Sequence, residues 1–323
     1  MISIIVYGRN DHHGYNLHRR AALSLNALAA TLSRPDDEII FVDYNSASYL
    51  PTFPEAIDDT LTDETRARLR IVRVRPDFHQ AVVGERSRLP VIEPLARNIA
   101  LRRVNPGNVW ALSTNTDMVF AIDDRRPLAD VIERLPPGLY HAPRFEVPEI
   151  LWETLDRRDP HSVIESLARW GERLAVDEVV RAGADAVFDG PGDFQLFPIN
   201  AAREIGGFEE AMVHGWHVDA NFARRMRLHL GAIHAAPPAI RGYHCGHTRD
   251  ATAYHAARSG QNSEREFVEQ VKSPEGSGAA SDAWGAPHGE FEQFKLDRKA
   301  QILGSLEATV ADAPRRLPVR ELT

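Results

Sequence analysis

A single cysteine, Cys245, stands among the 323 residues, which excludes an intramolecular disulfide and a thiolate zinc cluster. No apolar run approaches the ~18 residues needed to cross a bilayer. The opening MISIIVYGRND lacks the basic leader and small-residue cleavage site of an export signal and reads as a strand. The expectation is a cytoplasmic protein, with peripheral attachment to a membrane left open. Basic charge is in deficit: the formal net charge is −8, whereas a general nucleic-acid binder carries a strong basic excess. Lysine is nearly missing, three residues against 35 arginines; such a bias suits anion sites and also follows from base composition alone. The first strand is not followed by G-x-G-x-x-G, which argues against a dinucleotide oxidoreductase. What is present, 43% hydrophobic and 26% charged residues, is an ordinary globular composition, long enough for one large α/β domain or two modest ones.

The first half alternates strand and helix. ISIIVY (residues 2–7) and EIIFVD (38–43) are short apolar runs, as in strands covered on both faces. Between them Leu17, Ala21, Leu25, Leu28 and Leu32 recur at helical spacing. RIVRVR (70–75) alternates and is expected nearer a sheet edge. EPLARNIALRRV (93–104) is a helix with a proline suited to its first turn, and NVWALST returns as a strand. This order predicts a largely parallel sheet with helices on both faces. The second half is less regular. RPLADVIERL reads as a short helix, GLYHAPR as a strand, residues 147–182 as helical and amphipathic, and FDGPGDFQLFPI as a turn entering a strand. A later helix is closed by Gly231. Residues 272–289, rich in Gly, Ser, Ala and Pro, read as a flexible segment.

In such sheets ligands lie beyond the carboxyl ends of the strands, where the strand order reverses. Gly8 to Asn10, Asp43 to Asn45 and Asn115 to Asp117 are polar strand tips of that kind. Asn115-Thr116-Asp117, read alone, is equally an ordinary turn or helix cap. YHCGH sets His244 and His247 three apart, a weak metal signal by itself. Asp11-His12-His13 sits in a polar turn and reads as a solvated loop or lid. Arg102 and Arg103 read as solvated helix residues.

Three segments in order carry a resemblance: ISIIVYGRND with EIIFVDYNSA; LARNIALRRVNPGNVWALSTNTDMVF; and GDFQLFPINAAREIGGFEEAMVHGWHVDANFARRMRLHLG. Together they resemble the GT-A glycosyltransferases of the family 2 nucleotide-sugar type, from residue 2 to about 250. The resemblance implies a Rossmann-like mixed, mostly parallel sheet. Residues 1–123 would form the nucleotide-sugar half, 124–250 the acceptor half, and 251–323 a C-terminal extension. It also implies a divalent cation, manganese or magnesium, that neutralises the departing nucleotide diphosphate. The donor would meet Tyr7, Gly8, Arg9, Asp43, Arg97, Asn115, Thr116 and Asp117. Metal ligands would be Asp117, with His247 and then His244. The acceptor, a glycan or glycoconjugate, would meet Asp193, Gln195, Trp216 and His217, with Gly192 and Phe194 at the border. Phe208 would be core or platform. Asp219 would be the general base of an inverting transfer. Two departures stand out: the usual Asp-x-Asp is Asn115-Thr116-Asp117, and the expected Glu-Asp pair is Val218-Asp219. A degenerate sugar-nucleotide-binding or assembly module therefore remains an alternative, as does a nucleotidyltransferase, although GRNDHHGYN lacks a phosphate-cradling glycine loop. A homo-oligomer, with the late tail around a neighbouring subunit, is also open.

Overall fold

A computed structural model of the chain describes residues 1–11, 16–173, 178–180, 192–247 and 261–296. His12, His13 and the tail beyond 296 lie outside the described residues. The first half runs β1 (Ile2–Gly8), α1 (Leu17–Ala30), β2 (Glu38–Tyr44), α2 (Phe53–Ala56), α3 (Asp63–Arg68), β3 (Leu69–Val74), α4 (Pro76–Val83), α5 (Glu93–Arg102), β4 (Trp110–Ser113) and β5 (Met118–Ile122). The second adds α6 (Leu128–Ile132), β6 (Leu139–His141), β7 (Arg144–Val147), α7 (Glu149–Trp152), α8 (Pro160–Arg173), β8 (Glu178–Val180), β9 (Gln195–Pro198), α9 (Ile199–Glu204), α10 (Val218–Leu230), β10 (Ile233–Ala235), β11 (Ile240–Cys245) and β12 (Glu292–Lys295).

Eight strands form the main sheet in the order β10-β6-β9-β4-β1-β2-β3-β12. Only β9 and β12 run against the others. The mixed, mostly parallel α/β fold expected from the sequence is therefore the fold observed. The middles of β1 and β2 are apolar because helices cover both faces: Ile4, Val6 and Phe41 join one buried cluster, Ile5, Ile40 and Val42 the other. α1 is buried along Arg20–Ala29, and its stripe packs into the first of these clusters. Gly231 closes α10 in the left-handed conformation at φ 85°.

A second sheet, β5-β11-β7-β8, stands beside the first. Its tight backbone crossing is visible at Gly242, where a Cβ would lie 3.1 Å from Pro143 O.

RIVRVR lies near an edge as expected, second from it, with β12 paired antiparallel outside β3. Two other expectations change. Residues 147–182 are not helical throughout: α7 ends at Trp152, a turn follows, α8 starts at Pro160, and Glu178–Val180 forms strand β8, while residues 174–177 and 181–182 lie outside the described residues. Arg102 and Arg103 are not free surface residues. Arg102 lies 3.8 Å over the Trp284 ring and donates to the carbonyls of Asp282 and Trp284; Arg103 donates to those of Gly285, Ala286 and Gly289. The segment 272–289 has neither helix nor strand, yet these two arginines fasten it to α5.

Candidate functional site

The chain leaves β3 and returns as β4 on the opposite side of β1, so the strand order reverses between β1 and β4. Their carboxyl ends are neighbours, with Ile5 opposite Ser113. β9 runs antiparallel to β4 with Gln195 opposite Ser113, which brings Asp193, two residues before β9, to the same rim. In the second sheet Met118 lies opposite His244 and Glu146 beside His244. Strand register alone thus assembles Asp117, His244 and Glu146.

The ligating atoms of Asp117, His244 and His247 all lie within 4.8 Å of one another. His244 Nε2 is 3.4 Å and His247 Nε2 3.6 Å from Asp117 Oδ2. Arg20 Nη1 donates to the same oxygen at 2.6 Å. Burial works against the Asp117 carboxylate, but His244, Arg20 and His247 together hold its pKa far below the usual range. His244 Nδ1 donates to Glu146 Oε1 at 2.8 Å, which turns Nε2 toward Asp117. Burial lowers the His244 pKa, yet Asp117 and Glu146 outweigh it and raise the group to about 9. One carboxylate and two imidazoles, one braced by a second carboxylate, fit a borderline divalent ion such as manganese better than magnesium, which prefers oxygen alone. Such an ion must displace the His244 proton. Manganese affinity is therefore expected to rise with pH up to about 9. Glu146→Gln is expected to weaken it by roughly ten- to a hundredfold, measured by titration calorimetry at fixed pH; unchanged affinity would show that Glu146 does not brace the site.

A second group centres on Arg97, which α5 places with its side chain 1% exposed. Its Nε donates to Glu93 Oε1 at 2.9 Å, its Nη1 to Ser113 Oγ, and its Nη2 to Asn115 Oδ1 at 3.1 Å. Tyr7 and Phe208 flank the guanidinium, 5.2 and 5.5 Å from the ring centres. Every Arg97 nitrogen is thus held by the protein. Asn115 Nδ2 in turn donates to Asp193 Oδ1 at 2.8 Å, and Arg144 Nη1 donates to Asp193 Oδ2 at 2.9 Å. Arg144 Nη2 continues to Glu146 Oε2 at 2.8 Å. An alternating chain of charges and one amide therefore joins Arg97 to the Asp117 group. The next residue of α5, Asn98, exchanges hydrogen bonds with the Phe208 backbone at 2.7 and 2.8 Å, so the Ala-Arg-Asn helix braces the Gly-Gly-Phe turn. Phe208 itself is core, stacked on Phe222 at 4.0 Å.

Asp219 enters on the first turn of α10. Gly192 N donates to its Oδ2 at 2.9 Å. A Cβ on Gly192 would lie 2.5 Å from that carboxylate, so a larger residue there would displace the Asp219 side chain. Gln195 Nε2 donates to the Asp219 carbonyl at 3.1 Å. Asp219 Oδ1 and Gln195 Oε1 are buried acceptors without a hydrogen-bond partner among the described residues. The nearest cation to Oδ1 is Arg97 Nη2 at 3.8 Å. Burial, then Glu93 and Asp193, push the Asp219 pKa up to about 8 against the opposing pull of Arg97. Trp216 is 44% exposed, and His217 precedes α10 with φ 60°.

Asp43 is fully buried at the end of β2. Its Oδ1 accepts from Ser46 Oγ at 2.7 Å and Phe53 N at 2.8 Å, while Oδ2 has no hydrogen-bond partner among the described residues. Burial raises its pKa to about 6. Asn10 N donates to Ser46 Oγ at 2.8 Å, which ties the β1 tip to the β2 tip. Gly8 is small for a packing reason, since a Cβ there would lie 2.7 Å from Phe41 Cζ. Arg9 pairs with Asp11 at 3.1 Å, and Thr116 is partly exposed on its turn.

Sequence reading missed Arg20, Glu93, Arg144 and Glu146. Glu93 is four residues before Arg97, a helical pair visible in sequence. Arg144 and Glu146 share one face of β7 by alternation. Arg20 stands three residues after Leu17, within the apolar side of α1, where a charge needs a partner.

No protein-family model matches the chain, and no curated protein does. Solved structures are similar. S. aureus TarS 1–349 in complex with UDP-GlcNAc is 13% identical with a TM-score of 0.49, covering 82% of this chain and 63% of that one. S. aureus TarS 1–349 is 14% identical at 0.47, covering 76% and 60%. GalNAc-T7 with UDP, GalNAc and Mn2+ is 13% identical at 0.48, covering 77% and 43%. The chain thus spans less than two thirds of each of these three chains.

Proposed function

We propose that the protein is a metal-assisted glycosyltransferase that moves a sugar from a nucleoside diphosphate to a hydroxyl of a glycan or glycoconjugate. The observation that carries this reading is the meeting, at the β1–β4 switch point, of an Asp-His-His ligand group with a base whose outer oxygen has no hydrogen-bond partner among the described residues. Asp117, His244 and His247 would hold the cation. When bound, it supplies electrostatic stabilisation of the departing diphosphate. Asp43 Oδ2, buried and without a hydrogen-bond partner among the described residues, suits a nucleobase N–H or a ribose hydroxyl. The paired acceptors Asp219 Oδ1 and Gln195 Oε1 suit hydroxyl donors, the groups that a sugar presents. Asp219 takes the acceptor O–H proton as that oxygen bonds to the anomeric carbon. The bond from that carbon to the phosphate oxygen breaks on the opposite side, and the diphosphate leaves with the electron pair, so an in-line displacement inverts the centre. Arg97, fully engaged by the rim, fixes Asn115 and Tyr7 rather than gripping phosphate.

Arg20 on Asp117 favours a second reading, a cation-independent nucleotide-sugar-binding module. Thermal shift separates the two, because a ligand stabilises by mass action in proportion to its binding. UDP and UDP-GlcNAc with manganese are expected to raise the melting temperature more than without it, and Asp117→Ala to remove the manganese-dependent part. A shift indifferent to manganese, with no release of UDP, would favour the module. No shift with any nucleoside diphosphate would overturn both.

Among the described residues, no helix is long and apolar enough to cross a membrane.

A further inference from the structure

Gly215, Trp216 and His217 are three successive left-handed residues, at φ 70°, 63° and 60°. Glycine accepts that conformation freely, but Trp and His do not. Such a run persists only where its surroundings hold it. The holder is Asn262, 4% exposed and far downstream, in the segment to which the sequence assigns no chemistry. Its N–H donates to the Gly215 carbonyl at 3.1 Å. Its Oδ1 accepts from His214 N at 3.2 Å, and its Nδ2 donates to the Trp216 carbonyl at 3.1 Å. The run sets the entry of α10, whose first turn closes with Asn221 N donating to the His217 carbonyl at 2.8 Å. Asp219 lies within that turn. The ties continue along the helix: Asn221 Nδ2 donates to the Phe267 carbonyl, and Arg224 Nε to that of Val271 at 3.2 Å.

We propose that Asn262 is a positioning residue of the acceptor side, holding the left-handed run so that exposed Trp216 and the Asp219 turn together receive one sugar ring. The indole offers an apolar face for the C–H side of a hexose, and Asp219 Oδ1 and Gln195 Oε1 accept from its hydroxyls. The inference rests on the sugar-transfer reading for its ligand class but not for its geometry. An amide is required at 262, because one side chain must accept from His214 and donate to Trp216 at once. Aspartate keeps the first bond and loses the second; alanine loses both.

The test compares wild type, Asn262→Ala, Asn262→Asp and Trp216→Ala, with UDP present and methyl hexopyranosides as probes. Hydrogen exchange over residues 214–221 is expected to speed at least tenfold in Asn262→Ala, with β1 to β4 unchanged. Glycoside binding by saturation-transfer NMR, and the acceptor KM with UDP-GlcNAc as donor, are expected to weaken by roughly ten- to a hundredfold, with the donor KM within twofold. Trp216→Ala should reproduce the acceptor effect. If Asn262→Ala leaves exchange or glycoside binding as in wild type, the proposal is overturned. Equal loss of donor and acceptor affinity would also overturn it, as a merely structural effect. Glycoside binding lost in Asn262→Ala, with no transfer by wild type from any donor, would sink the transferase reading and leave this one standing.

Discussion

Asp219→Asn is expected to lower turnover by about two to four orders of magnitude, the usual scale of a positioned base, while donor affinity changes little. The substitution keeps the Gly192 N–H bond, since an amide oxygen still accepts, and it keeps the shape of the α10 turn. What it removes is the ability to take a proton at the atom nearest Arg97. The pH profile gives an independent check. Burial with Glu93 and Asp193 nearby raises this carboxyl to about 8, so at neutral pH most molecules carry the proton and cannot act as base. Turnover in the wild type should therefore climb from pH 7 toward pH 9 with an apparent pKa near 8. The residual rate of Asp219→Asn should lack that limb. For stability the sign is opposite. A carboxyl whose folded pKa is raised favours folding below its unfolded value near 4, and that contribution disappears as pH rises through the folded value near 8. The conditions that switch on the base therefore also weaken the fold. Steady-state kinetics across this range decides the matter, and a flat profile with unchanged turnover in Asp219→Asn would remove Asp219 from the chemistry.

Much of this site was legible because a buried strand that ends in polar residues announces its carboxyl tip. Ile2–Gly8, Glu38–Tyr44 and Trp110–Ser113 did so, and Tyr7, Asp43, Asn115 and Asp117 lie where such tips must fall. The α1 stripe and the Gly231 stop were equally local signals. What the sequence did not disclose were partners fixed by tertiary structure. The alternation of RIVRVR is that of a half-exposed strand, but its outer neighbour comes from residues 292–295, a pairing with no local trace. Arg102 and Arg103 look like helix surface until Asp282 and Gly289 fold back on them. Asp117 looked like a lone metal carboxylate; that Arg20 sits on it at 2.6 Å depends on how α1 crosses β5. The left-handed run at Trp216 and His217 was also hidden, since neither residue type favours it and its holder is Asn262.

Introducing an Asp-x-Asp by Asn115→Asp is expected to harm the protein, although the motif read alone predicts improved metal binding. The amide at 115 accepts from Arg97 and donates to Asp193 in the same place. Only an amide does both, and its orientation is fixed by these partners. A carboxylate would keep the Arg97 bond but face Asp193 Oδ1 across 2.8 Å. Asp193 is 3% exposed and already committed to Arg144 on its other oxygen. Two carboxylates at that separation cannot both stay ionised in a buried site, so one takes a proton or the strand tips part. The cost should be about 2–4 kcal/mol, read as a melting temperature lower by several degrees. Turnover should fall at least tenfold, because Asn115 joins Arg97 and the base to Arg144, Glu146 and the histidines. Asn115→Ala, which breaks the link without adding a charge, should lose less stability than Asn115→Asp. That order separates like-charge repulsion from simple loss of a hydrogen bond. If Asn115→Asp instead binds manganese more tightly and turns over faster, position 115 is a vacated metal ligand and the amide bridge has no part in holding the site. The order of the two variants then follows from the cation alone.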